Sequence, residues 1–137
     1  MSTLRTNALE GVDAKNSITI VAGAGNVTTT NVQEGLTKAW VNFDGTASGA
    51  ASRDSFNLSA MTDNGTGDYT VAVSNAFSND DFCSNVSCGD STTNPSIMAS
   101  ACVNVDTSSV RQEHCFTNVA SNADAANCYT AITGDLA

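Results

Sequence analysis

The sequence is poor in residues that build helices and in residues that bind anions. Of 137 residues, only five are leucine, three glutamate and two lysine, and proline and histidine occur once each. So few strong helix formers argue against a helical bundle or a coiled coil. The five lysines and arginines are outnumbered by 14 acidic residues, which gives a formal net charge of −9. This balance argues against nucleic acid as a partner, because such binding depends on neutralising phosphates.

Long hydrophobic runs are also missing. No apolar stretch approaches the roughly 20 residues that a membrane span requires. The first seven residues, MSTLRTN, lack the apolar core of a signal peptide. We therefore expect a soluble protein that is made in a cytoplasm and has no membrane partner.

Threonine, serine and asparagine dominate the composition instead, with 17, 16 and 15 copies, about a third of the chain. These residues favour turns and pleated surfaces over helices. Short alternating runs are separated by turn residues every 8–15 positions, a pattern typical of antiparallel sheets. The sequence therefore predicts an all-β fold, an antiparallel β-sandwich of jelly-roll-like type with about seven strands. The expected strands are 39–43, 55–60, 69–73, 82–86, 97–105, 110–119 and 128–132, with exposed loops at 89–95 and 120–126.

Residues 1–36 differ from the rest because they contain no aromatic side chain, and their only apolar cluster is Ile18-Thr19-Ile20-Val21. This alternation predicts one short strand. A segment with so little to bury cannot offset the entropy of ordering its backbone, so we expect it to become ordered on another subunit. The predicted organisation is an extended N-terminal arm for attachment or trimerisation over 1–36 and a β-sandwich over 37–137. The candidate attachment residues are Leu4, Leu9, Ile18, Ile20 and Val21.

The aromatic residues begin at position 40, and four of them are predicted to form the structural core: Trp40, Phe43, Phe56 and Tyr69. Each lies within or beside a predicted strand. Their burial would account for folding and would leave them no part in recognition.

Candidate catalytic and metal-binding residues are few. The five cysteines form no C-x-x-C pair, and their odd number without a signal peptide favours free thiols over a disulfide framework. A zinc site built from Cys83, Cys88, His114 and either Cys102 or Cys115 is the weaker alternative. His114 and Cys115 are neighbours in a predicted strand and point to opposite faces, so they cannot form a nucleophile–base pair. We expect no enzymatic activity, no metal and no cofactor.

Two further charged features have alternative interpretations. Arg53 either forms a structural salt bridge that fixes a loop, which we favour, or binds a sugar or an acidic partner. The acidic segment from Asp63 to Asp68 contains Asn64-Gly65 and Gly67, so a tight turn is favoured over a calcium site. It lacks the ligand spacing of an EF-hand loop.

Two stretches carry a family resemblance: Lys38-Ala39-Trp40-Val41-Asn42-Phe43-Asp44-Gly45-Thr46, and Arg53 to Ser59 continuing through Met61-Thr62-Asp63-Asn64-Gly65-Thr66-Gly67-Asp68-Tyr69-Thr70-Val71. Together they resemble a module of tailed-bacteriophage virion proteins, particularly fibre-like and capsid-associated proteins of phages that infect marine and cyanobacterial hosts. The opening Ser2-Thr3-Leu4-Arg5-Thr6-Asn7 with Ser17-Ile18-Thr19-Ile20 is similar to the start of many such chains. The resemblance covers residues 1–21 and 38–73.

The resemblance implies a structural protein on the virion surface, made in the bacterial host cytoplasm and assembled as a homotrimer. It supplies no catalytic residues. With only 137 residues, a capsid decoration protein of the cement or head-fibre kind is expected before a tail fibre with a long shaft. Its partners would be the major capsid protein or a tail adapter. The alternative is a short tail fibre or receptor-binding protein that attaches to a host-surface ligand through loops such as 89–95 and 120–126.

Overall fold

The computed structural model describes Ala8 and residues 19–22, 28–31, 36–89, 98–116 and 121–137. Its contacts divide the chain into two units, Met1–Leu36 and Thr37–Ala137. The second unit, here termed the head, contains both hydrophobic clusters found among the described residues.

In the first unit, strand β1 (Thr19–Ala22) pairs antiparallel with β2 (Thr28–Asn31). Ile20 lies opposite Thr30, and Val21 lies opposite Thr29. The sequence predicted only the first of these strands, because a run of β-branched threonines becomes a strand only when a partner is available. Of the other candidate attachment residues, Leu4, Leu9 and Ile18 lie outside the described residues.

The head is an antiparallel β-sandwich, as the sequence predicted, and no helix occurs in the described part of the chain. The first sheet has the order β4-β3-β11-β7. In the second sheet, β9 pairs with β6 and β10 as well as with β8, and β5 pairs with β6. The strands are β3 (Thr37–Asp44), β4 (Ala51–Phe56), β5 (Leu58–Gly65), β6 (Asp68–Val73), β7 (Cys83–Gly89), β8 (Met98–Asp106), β9 (Ser109–Phe116), β10 (Ser121–Asn122) and β11 (Asn127–Thr133).

Two buried clusters fill the space between the sheets. The larger has Phe43 and Tyr69 at its centre, both 0% exposed, with their rings edge to face at 5.1 Å between centroids. Such an aromatic pair adds about 0.5–1.5 kcal/mol beyond its buried area. The smaller cluster contains Ala39, Val73, Phe77, Val110 and Ile132.

The predicted core assignment is wrong for Trp40 and Phe56, which lie on the surface with 36% and 54% of their area exposed. Side chains alternate between the faces of a strand, and β3 turns Ala39, Val41 and Phe43 inward, so Trp40 points outward. Phe56 lies opposite Trp40 in the antiparallel register and therefore shares its face.

The predicted strand 55–60 is divided at Asn57, which has a positive φ of 57°. Its side-chain amide donates to Lys38 O (3.1 Å) and Asn75 O (3.2 Å), and its Oδ1 accepts from Asn75 N (2.8 Å). Asparagine tolerates this left-handed conformation better than most residues. The break lets the chain pass from β4 in the first sheet to β5 in the second.

Candidate functional site

The first sheet has one face buried against the core and one face open to solvent, here termed the outer face. On β11, Cys128, Thr130 and Ile132 are buried, whereas Tyr129 is 45% exposed. The register places Ala131 between Trp40 of β3 and Asn85 of β7. One step along, Tyr129 lies between Asn42 and Ser87.

A groove of about 640 Å³ runs over this outer face. Ala131 carries only a methyl group, so its position forms a depression between the larger side chains of Trp40 and Asn85. The groove is lined by Trp40, Val41, Asn42, Asn85, Val86, Ser87, Tyr129, Thr130 and Ala131. It combines two exposed aromatic rings with a central depression, which is the shape of a shallow ligand site.

The polar side chains of the groove are neutral. Asn42, Asn85 and Ser87 supply amide and hydroxyl groups, and none of the nine lining residues carries a charge. Asn85 and Ser87 make no side-chain hydrogen bond to another described residue. Asn85 and Ser87 can therefore donate to and accept from an incoming ligand without first breaking a bond inside the protein. Asn42 Oδ1 already accepts from Arg53 Nη1 at 3.5 Å.

Arg53 lies at the edge of the outer face and forms a salt bridge and a hydrogen bond within the protein. Its Nη2 lies 2.8 Å from Asp44 Oδ2, and its Nη1 donates to Phe43 O at 3.1 Å. Hydrogen bonds from Thr46 lower the pKa of Asp44, and the positive charge of Arg53 lowers it further. The structural salt bridge predicted for Arg53 is present, and it ties the β4 edge to β3.

A second cluster lies in the interior and contains the pair of residue types used by cysteine nucleophiles. Cys128 Sγ is 3.4 Å from His114 Nδ1, and Cys128 Sγ–H donates to Ala125 O at 3.2 Å. Both residues are 0% exposed. Burial raises the pKa of Cys128 to about 12 and lowers the pKa of His114 to about 4. The pair is thus a neutral thiol beside a neutral imidazole, the opposite of the thiolate that nucleophilic chemistry requires.

Part of the loop 120–126, which the sequence predicted to be exposed, reaches the same region. Among its described residues, Ser121, Asn122 and Asp124 are exposed, whereas Ala123 and Ala125 are buried, and Ala125 O accepts from Gly45 N at 2.9 Å. Asp124 Oδ1 accepts from the Tyr69 hydroxyl at 2.8 Å and from Gly67 N at 2.7 Å. Burial, followed by this hydrogen bond to Asp124, raises the pKa of Tyr69. These hydrogen bonds attach residues 121–126 to the core. Of the other predicted recognition loop, 89–95, residues 90–95 lie outside the described residues.

Tyr129, Asn85 and Ala131 were not among the site residues predicted from the sequence. The alternation of β11 contained a signal for Tyr129, because it lies between two inward-facing positions, Cys128 and Thr130. No local pattern in the sequence predicts that Asn85 lies beside Ala131. Their proximity depends on the pairing of β7 with β11, and the two residues are more than 40 positions apart in the chain.

Comparison with known proteins gives no match to a family model, to a curated protein or to a solved structure. Within the described ranges, no helix is long and apolar enough to span a membrane. The same residues contain no group of three or more histidine, cysteine, aspartate or glutamate side chains placed to hold a metal ion.

Proposed function

We propose that this protein is a structural, non-enzymatic component of a tailed-bacteriophage virion, a trimeric capsid decoration protein of the cement or head-fibre kind. The observation that supports this most directly is the division into Met1–Leu36 and Thr37–Ala137. Both described hydrophobic clusters are built from head residues alone. A head with its own core can fold without the N-terminal unit, to which the proposal assigns attachment.

In this proposal, residues 1–36 bind the shell or a neighbouring subunit, and the head faces outward from the virion. The partners are other copies of the chain, in a homotrimer, and the major capsid protein or a tail adapter. Leu4, Leu9, Ile18, Ile20 and Val21 provide the apolar contacts. The formal charge of −9 and the polar composition suit a protein displayed at high density in water.

The attachment role is tested by deleting residues 1–21. We expect a soluble, folded head that no longer binds particles lacking the native protein, because the apolar contacts have been removed. A chain with the order of residues 1–21 scrambled is the matched control for length and composition, and it should also fail to bind. Undiminished particle binding by the deletion variant would contradict the proposal.

The second candidate function is host attachment as a short tail fibre or receptor-binding protein. The groove on the outer face favours it, because a decoration protein needs no ligand site there. The number of copies per particle separates the two candidates. Hundreds of copies, measured by quantitative mass spectrometry of purified virions, would indicate a shell component, whereas a few to a few dozen would indicate a tail appendage.

A further inference from the structure

We propose that the groove on the outer face of β3, β11 and β7 binds a short, uncharged saccharide. The inference concerns the head alone and does not depend on whether the protein lies on the capsid or on the tail. It follows from the aromatic rings, the neutral polar groups and the size of the groove.

The aromatic rings provide the first argument. Trp40 and Tyr129 lie on adjacent strands, offset by one same-face position, with Ala131 opposite Trp40. The backbones of diagonal neighbours of this kind are separated by about 7–8 Å, so one pyranose can lie across both side chains. The faces of aromatic rings are electron-rich and attract the polarised C–H groups on the face of a pyranose. Both rings are partly exposed before any ligand binds.

The polar groups provide the second argument. A sugar hydroxyl both donates and accepts, and the amide of Asn85 and the hydroxyl of Ser87 do the same. The amide nitrogen of Asn42 can also donate, while its Oδ1 accepts from Arg53 Nη1 at 3.5 Å. None of the lining residues is a cation, and the charge of Arg53, which contacts Asn42 Oδ1 at 3.5 Å, is paired with Asp44. The net charge of −9 also repels anions. The charge distribution therefore selects a neutral ligand.

The size of the groove provides the third argument. Its 640 Å³ falls within the range of about 300–1,000 Å³ typical of small-molecule sites. A stable protein interface uses about 20–30 residues on each side, whereas nine residues line this groove. A short saccharide matches that footprint better than a second copy of the chain.

Trp40 makes the test direct, because it is the only tryptophan in the chain and its emission reports on the groove alone. Purified full-length protein is titrated with a panel of neutral di- to hexasaccharides built from hexoses and N-acetylhexosamines. Sialylated and sulfated oligosaccharides serve as charged comparisons. We expect a saturable change in Trp40 emission with at least one neutral saccharide and none with its anionic counterparts.

Two substitutions locate the binding. Asn85→Ala removes an amide from the groove and should weaken binding about tenfold. Ala131→Leu fills the depression and should abolish binding, with circular dichroism and thermal melting confirming that the sheet is intact. Asn122→Ala removes another exposed asparagine, from β10 in the second sheet, and should leave binding unchanged.

Three results would overturn the proposal. The first is that no neutral saccharide in the panel changes Trp40 emission at millimolar concentration. The second is binding that Asn85→Ala and Ala131→Leu leave unchanged. The third is Trp40 emission that depends on protein concentration, which would make the outer face an interface between copies. Each result leaves the copy number per particle unaffected, so failure here is distinct from failure of the proposed virion role.

Discussion

Acid should destabilise the head through its single histidine. His114 is 0% exposed, and its ring packs near Tyr69 and Phe43, with centroid distances of 5.4 Å and 6.3 Å. Its Nδ1 faces Cys128 Sγ, and its Nε2 has no hydrogen-bond partner among the described residues. Burial lowers its pKa from 6.5 to about 4, and the negative charge of Asp124 opposes this only in part.

The sign of the effect follows from proton linkage. The unfolded chain binds a proton at His114 near pH 6.5, whereas the folded head binds it only near pH 4. The contribution of His114 is therefore complete above pH 6.5 and is lost as the pH falls towards 4. At 1.36 kcal/mol per pH unit, the gap between the two pKa values amounts to about 3 kcal/mol of unfolding free energy.

The assay is urea denaturation of the native protein and His114→Gln at several pH values between 7.5 and 3.5. The difference in unfolding free energy between the two proteins should shrink by about 3 kcal/mol across this range, because glutamine does not titrate. Acid effects at Asp68 and Asp106, whose pKa values are lowered mainly by hydrogen bonds from Arg111 and Ser108, occur in both proteins and cancel.

NMR of the single imidazole provides a measurement that does not depend on the variant folding. We expect a His114 pKa near 4 in the native protein. A pKa near 6.5, or a free-energy difference that stays constant with pH, would refute the reasoning, because either would mean that the ring is hydrated in the folded head.

Two matched pairs test the remaining structural claims by urea or thermal denaturation. Phe43→Ala should lower the free energy of unfolding by about 3–5 kcal/mol and Trp40→Ala by less than about 1.5 kcal/mol, because only Phe43 is fully buried. Equal losses would contradict the assignment of faces. Gly67→Ala should lower the free energy of unfolding by about 3 kcal/mol or more, since its Cβ would lie 2.5 Å from His114 O. Gly49 has a similar positive φ but open space around it, so Gly49→Ala should lower it by about 1 kcal/mol. Similar losses at both glycines would show that the close approach around Gly67 is relaxed.

The sequence by itself determined the fold class and most of the strand positions. The scarcity of helix formers and the clean alternation of Tyr69 to Val73 are local properties, and β6 covers Asp68–Val73 in the structure. Turn chemistry was equally local: Asn64-Gly65 and Gly67 predicted a reversal, and both glycines have positive φ. Such patterns predict local structure well because they depend on the conformational preferences of a few adjacent residues, which the folded chain retains.

Tertiary structure alone decided which face of β3 is buried. Alternation shows that Trp40 and Phe43 point to opposite faces of β3 but does not show which face meets the other sheet. The sequence prediction placed both rings in the core, and the packing of the two sheets buried Phe43 and left Trp40 on the surface. The site depends on this choice, because an inward Trp40 would leave no aromatic ring beside Ala131.

Tertiary structure also decided the long-range pairings. His114 meets Cys128, Tyr69 meets Asp124, and Asn85 meets Ala131 only because strands distant in sequence become neighbours. The free energy of these contacts depends on the order of strands in both sheets, which no local pattern of threonine, serine and asparagine specifies. Residue preferences therefore determined that sheets form, and the packing of the sheets determined where a ligand can bind.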